Sequence, residues 1–191
     1  DGTAWNAVTT VTTTDGGTEA LSMIEQNGVV YAGIEGVGVM RYDTATSSEL
    51  STWSSANTLH SDVITHMTTS GNQLLLGSAD NGLARFDFAA GFWLSTWNSA
   101  NWLSNNDIGG VERVGSMLSI TNGDAVHSYN TTSGVFSTTY SFADFNLSGD
   151  GGSLVAWPSV GGASPSHDAL LVNDGSGSLA HLSPGQTPLF E

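Results

Sequence analysis

Apolar and polar residues alternate along most of this chain in short runs, and no long stretch keeps the 3.6-residue period of a helix. "VITHM" (63–67), "NQLLLGS" (72–78), "GLARFDF" (82–88) and "FWLSTW" (92–97) each predict a strand. Between them stand "TSGN", "ADNG" and "AAG", turn-forming clusters of Gly, Asn, Asp and small residues. The remaining runs are rich in Thr, Ser, Gly and Val, so strand is expected throughout and helix almost nowhere.

The pattern repeats. "LSTWSSAN" (50–57) returns as "LSTWNSAN" (94–101), setting Trp53 and Trp97 44 positions apart. The same shift lays Leu59 on Leu103, Ile64 on Ile108, and "YAGIEGVGVMRYD" (31–43) on "LLGSADNGLARFD" (75–87). A third copy, "SITNGDAVHSYN" (119–130), fits with one residue deleted, and "LLVNDGSGSLAHLS" (170–183) is a weaker fourth. Four strands in about 44 residues is the length of one propeller blade. The expected fold is an all-β propeller of about four four-stranded blades, at 18–53, 62–97, 106–141 and 152–191. The octet is then the outermost strand of a blade and the start of the loop to the next. It recurs because each blade buries the same face on its neighbour, with Trp53 and Trp97 in that core. Gly33/Gly77 and Gly38/Gly82 bracket the hairpin between second and third strands, where positive φ is expected.

At the N-terminus, 3–13 reads as a further outer strand with Trp5 in the role of Trp53, while "TPLF" (187–190) begins another. Three assemblies fit: the N-terminal strand closes a four-bladed ring, two chains pair through open blade edges into an eight-bladed homodimer, or the chain is a slice of a larger propeller. The spacing also stretches, from 43 positions between Phe86 and Tyr129 to 53 between Tyr129 and Leu182. The extra length falls in the Gly-, Ser- and Pro-rich stretch 148–168, read as a loop insertion or as a flap over the binding face.

The segments "LHSDVITHM" (59–67) and "LSNNDIGGV" (103–111), each followed by a hairpin ending in "RFD" or "SYN", resemble the two-component-regulator propeller repeat. "YAGIEGVGVMRYD" matches the hairpin of that repeat, and the likeness covers the first three copies. The resemblance implies an extracellular or periplasmic sensor domain for nutrients such as polysaccharide breakdown products. In that family the propeller is often joined to a kinase and DNA-binding output, which this sequence does not contain.

Composition narrows the partners. The 191 residues are 39% hydrophobic with a mean hydropathy of −0.04, and no apolar run approaches the roughly 20 residues of a membrane helix. The opening "DGTAWNAV" has neither an initiator Met nor a signal-like start, as expected of a processed protein, a cut domain or an incomplete frame. Eighteen acidic residues face three basic ones, Arg41, Arg85 and Arg113, giving a net charge of −15 without a single lysine. Such a surface repels nucleic-acid phosphates and anionic lipids. With no cysteine, disulfides and thiolate chemistry are excluded.

Candidate chemistry lies in two loop sets on one face of the propeller. The inter-blade loops 54–62 and 98–107 hold Asn57, His60, Asp62, Asn101, Trp102, Asn105, Asn106 and Asp107. Trp102 occupies the place of Thr58 in the preceding copy, so the shared core does not demand it. An indole beside amide side chains suits a sugar ring, although packing on the neighbouring loop would also explain it. Asp80, Asp124 and Asp174 lie in oxygen-rich turns that are weak calcium candidates without full loop spacing, so no cofactor is assigned. Histidines 60, 66, 127, 167 and 181 show no zinc spacing. Glu25, Glu112 and Asp62 sit in or near expected innermost strands, from which they could approach the axis, but no catalytic motif or spacing brings them together. Sequons occur at Asn130 and Asn146. These features favour a non-enzymatic, extracytoplasmic module binding a carbohydrate or other neutral polar ligand, with a part in a sensor as the role the resemblance implies. The alternative is a structural or adhesive module with a protein partner, and a propeller glycosidase or lyase ranks third.

Overall fold

A computed structural model describes residues 19–123, 125–145, 154–157, 169–173, 179–182 and 189–190. The expected strand 3–13, and 148–168 apart from 154–157, lie outside the described residues. The described residues form sixteen strands in four antiparallel sheets, each built from four consecutive strands. The first holds β1 (Ala20–Gln26), β2 (Val29–Ile34), β3 (Gly38–Asp43) and β4 (Ser48–Trp53). The second holds β5 (Ile64–Ser70), β6 (Gln73–Ser78), β7 (Leu83–Asp87) and β8 (Phe92–Trp97). The third holds β9 (Ile108–Val114), β10 (Met117–Asn122), β11 (Ala125–Asn130) and β12 (Val135–Ser141), followed by a short 3₁₀ turn at Phe142–Phe145. The fourth holds β13 (Leu154–Trp157), β14 (Ala169–Asn173), β15 (Leu179–Leu182) and β16 (Leu189–Phe190).

The turns follow from the residues in them. Asn27 and Gly28 both adopt positive φ, 54° and 78°, as a two-residue hairpin with native strand twist requires. Gly38 and Gly82 also have positive φ, and a Cβ on either would stand 2.2 Å from the carbonyl oxygen of Trp53 or Trp97. Gly33 and Gly77 answer a different demand. Their φ is ordinary, but a Cβ would meet the carbonyl oxygen of Ile64 at 2.7 Å or Cγ2 of Ile108 at 2.6 Å. The expectation of positive φ thus holds for one pair only. The other lets the inner strand of the next sheet approach closely.

Successive sheets pack face to face. Tyr31, Val39 and Trp53 of the first sheet bury Leu74 and Leu76 of the second, and Leu75, Leu83 and Trp97 of the second bury Leu118 and Ile120 of the third. Val126, Phe142, Leu154 and Val172 join the third to the fourth. The repeated tryptophan anchors each of the first two cores. Trp53 lies 4.8 Å from Phe86 and 5.0 Å from Trp93, and Trp97 lies 4.5 Å from Tyr129 and 5.0 Å from Phe136. An arginine lies over each indole, Arg41 at 4.3 Å and Arg85 at 4.2 Å. Arg41 Nε donates to the Ser51 carbonyl at 2.8 Å, and Arg85 Nε to that of Ser95 at 3.0 Å. Two of the three arginines are thus fixed by the serines of the repeated octet. In the third sheet Ser128 and Tyr140 take the places of Arg and Trp, and the stack does not recur.

Candidate functional site

The inter-sheet loops and the hairpins between second and third strands gather at one end of the sheets. The Gly38 N–H donates to the Asp62 carbonyl at 3.1 Å, that of Gly82 to Asn106 at 2.8 Å, and that of Gly123 to Asp107 at 3.2 Å. Each loop begins as a wide turn. The N–H groups of Asn57, Thr58 and Leu59 converge on the Ser54 carbonyl, and those of Asn101, Trp102 and Leu103 on that of Asn98. Buried Leu59 and Leu103 then plug the cores below.

Four of the candidate residues spend their side chains on this turn. Asn57 Oδ1 accepts the Ser54 N–H at 3.0 Å while its Nδ2 donates to the Thr52 carbonyl at 3.0 Å. Asn101 does the same with Asn98 and Thr96, at 3.0 and 2.8 Å. Asp62 Oδ1 accepts the Ser55 N–H at 2.6 Å and Oδ2 takes the Ser55 hydroxyl, while Asn106 Oδ1 accepts the Ser99 N–H at 2.8 Å. Asn105 Oδ1 accepts the N–H groups of Asn106 and Asp107, at 2.6 and 3.2 Å. His60, Trp102 and Asp107 are exposed.

Trp102 stands apart. It is 57% exposed, and its indole stacks on Phe136 with centroids 5.4 Å apart and planes inclined by 14°. The preceding copy explains the exchange with Thr58. There the counterpart of Phe136 is the larger Trp93, so a small loop residue goes with a large strand residue in one copy and the reverse in the next. Packing therefore fixes one side of the Trp102 ring and leaves much of the indole to solvent.

Comparing residues one by one between copies would have found what the reading of motifs missed. His127 stands in the place of Ala84, and Asn122 in that of Ser78. His127 is 4% exposed and Asn122 0%. His127 Nδ1 lies 3.0 Å from Thr139 Oγ1, and its Nε2 accepts the Ser104 N–H at 3.4 Å. Asn122 Nδ2 donates to the Asn105 carbonyl at 2.7 Å. Buried polar groups of the third sheet thus hold the base of the loop that carries Trp102. Where the second sheet has Ala84, a cavity of about 10 Å³ opens between His60, Asn81 and Thr96, space for one water-sized molecule.

The other candidates do not assemble. Among the described residues, no cluster of three His, Cys, Asp or Glu side chains could hold a metal ion. Asp80 is exposed, and Asp124 and Asp174 lie outside the described residues. Glu25 accepts the Gly28 N–H at 2.7 Å in the hairpin after β1, whereas Asp62 precedes β5, at the opposite end of the inner strands. Burial raises the pKa of Glu112 on β9 above the usual carboxylate value. His66 on β5 shifts the other way, because burial disfavours its charged form and outweighs a hydrogen bond with Ile108. Its Nδ1 is buried with no hydrogen-bond partner.

Solved structures place this arrangement among known folds. The extracellular domain assigned to a one-component system of B. thetaiotaomicron matches with a TM-score of 0.69 and 15% identity, over 95% of this chain and 23% of that one. The WD40 repeats of RRP9 match at 0.67 and 12%, over 90% and 50%. This chain is built of β-propeller blades. The extracellular domain assigned to a hybrid two-component system of the same organism matches at 0.68 and 14%, over 95% of this chain and 25% of that one. A computationally designed protein, Ika4, matches at 0.60 and 11%, over 88% and 92%. The chain therefore spans about a quarter of the two bacterial domains and nearly all of the designed protein. No family model matches the sequence, and no curated protein does.

Proposed function

We propose that this chain is a non-catalytic recognition module that works outside the cytoplasm and takes a carbohydrate or other neutral polar ligand on its loop face. Trp102 carries the reading: a 57% exposed indole, held by a stacked phenyl ring, in a loop rich in amides and hydroxyls. A sugar presents a C–H face that stacks on such a ring and hydroxyls that bond the polar groups around it. Asn57, Asp62, Asn101, Asn105 and Asn106 hold the loops, and His60 and Trp102, with exposed Asp107 beside them, are the residues assigned to contact. The extracellular bacterial domains of the same fold support a sensory role and a location outside the cytoplasm.

A glycan array followed by titration of any hit tests this. The wild-type chain should give a saturable hit that weakens about tenfold or more in Trp102→Ala, with the unfolding midpoint nearly unchanged. Equal affinity in the variant would sink the assignment. A second reading, an adhesive module with a protein partner, rests on Phe92 and Val135. These equivalent residues begin the outer strands of adjacent sheets, and each is 57% exposed. An empty glycan array with capture of a protein that Phe92→Ser releases would favour it.

A further inference from the structure

In the third sheet a buried imidazole stands where the second sheet has a cavity. His127 replaces Ala84, and Thr139 on β12 takes the place of Thr96, which lines that cavity. His127 pairs in register with Ile120, which lies in the core with Trp97, whereas the adjacent Val126 packs with Leu154 and Val172 of the fourth sheet. The ring therefore faces the second sheet and the underside of the loop 98–107.

Two contacts set its protonation state. Nε2 accepts the Ser104 N–H at 3.4 Å and so carries no proton, which leaves Nδ1 to donate to Thr139 Oγ1 at 3.0 Å. Ser104 Oγ stands 3.3 Å from the same Nε2 and donates to Asn122 Oδ1 at 3.2 Å. Ser104 lies two residues past Trp102, and Thr139 three residues past Phe136, the ring on which Trp102 stacks. The imidazole thus ties the loop that carries the indole to the strand that carries its stacking partner. Ala84 has no polar side chain to tie the loop 54–62 in this way.

We propose that His127 is a positioning residue for Trp102, holding the indole on Phe136 only while Nε2 is unprotonated. A proton on Nε2 sets two donors against each other, Nε2–H and the Ser104 N–H, and the loop loses its tie to β12. Among the described residues, the titratable and charged groups on elements packed against His127 are Asp107 in the loop, Arg85 on β7, Tyr140 on β12, Asp144 in the 3₁₀ turn and Tyr129 on its own strand; β10 carries none. Arg85 is engaged with Trp97 and Ser95, and Asp144 with the Ser141 N–H. The consequence for ligand binding rests on the reading of Trp102 as a ligand contact.

The full chain labelled with fluorotryptophan tests this by fluorine NMR, with the Trp102 line assigned through Trp102→Phe. Between about pH 7.5 and 5 that line should shift with the midpoint of the His127 ring protons. His127→Gln, polar but without a titration, should abolish the shift, while Asp107→Asn and His66→Ser should retain it. His127→Ala installs the residue that the second sheet already carries there, and should hold the line near its low-pH position throughout. A Trp102 line that stays still while His127 titrates, or shifts equally in His127→Gln, overturns the proposal. So does a His127 ring that takes no proton until the chain unfolds. A glycan that binds should lose about fivefold in affinity over the same pH range, and only with His127 present; equal affinity at both ends overturns the proposal too. An empty glycan array with the fluorine shift intact upholds the positioning role and sinks the carbohydrate reading alone.

Discussion

His66 shows how one position changes its meaning from copy to copy. Its counterpart in the first sheet is Ser22, which donates to the Ile64 carbonyl at 3.3 Å, and in the third sheet Gly110. An imidazole in that place reaches Ile108 with one edge and leaves Nδ1 buried and unpaired with the other. Burial lowers its folded pKa below the roughly 6.5 of an unfolded histidine. The unfolded chain therefore takes up the proton first as pH falls. The contribution of His66 to stability is complete above about pH 6.5 and is lost as pH drops through the folded value. Urea midpoints at about pH 7.5, 6.5 and 5.5 should fall less steeply for His66→Ser than for wild type; parallel curves would remove His66 as the cause.

At the scale of the element, the hairpins opposite the loop face obey one rule. Asp43 Oδ1 accepts the N–H groups of Ala45 and Thr46 at 2.8 and 3.1 Å, and Asp87 those of Ala89 and Ala90 at 2.9 and 3.0 Å. Asn130 accepts those of Thr132 and Ser133 at 2.9 and 3.0 Å. The backbone N–H groups of Thr46 and Ala45 hold the Asp43 carboxyl below its ordinary pKa. What these turns need is a side-chain oxygen, charged or neutral. Asp87→Asn should therefore stay within about 0.5 kcal/mol of wild type, whereas Asp87→Ala should lose about 1 kcal/mol in denaturant unfolding. The Asn130 sequon has its structural reason here too. Alternation and turn residues made the strands legible, and the period made Trp53 and Trp97 legible as core. Asn57, Asp62, Asn101 and Asn106 were harder, because a recurring amide looks alike whether it reaches a ligand or its own backbone. Their equivalence between copies was the available clue, since a structural task recurs with the repeat. Trp102 and His127 were visible as departures from that equivalence. Their partners Phe136 and Ser104 belong to other strands and loops, where no local pattern points to them.

The whole molecule combines a repeated, well-buried set of cores with a surface of one sign. Like charges crowd the folded chain more closely than the unfolded one, so salt should stabilise it. The melting temperature should rise between about 0.01 and 1 M NaCl, as the screening length shrinks from about 30 to about 3 Å. A flat or falling curve would mean that the acidic groups sit too far apart to repel.

The arginines pinned over Trp53 and Trp97 have one more consequence. Trypsin cuts only after lysine or arginine, and this chain offers Arg41, Arg85 and Arg113, each inside a strand. A strand held in its ladder cannot thread into a protease cleft, so cleavage must wait for a sheet to come apart. The digest then becomes a clock. Fragments ending at residues 41, 85 and 113 should appear no faster than the sheets open, and their order would show which blade lets go first.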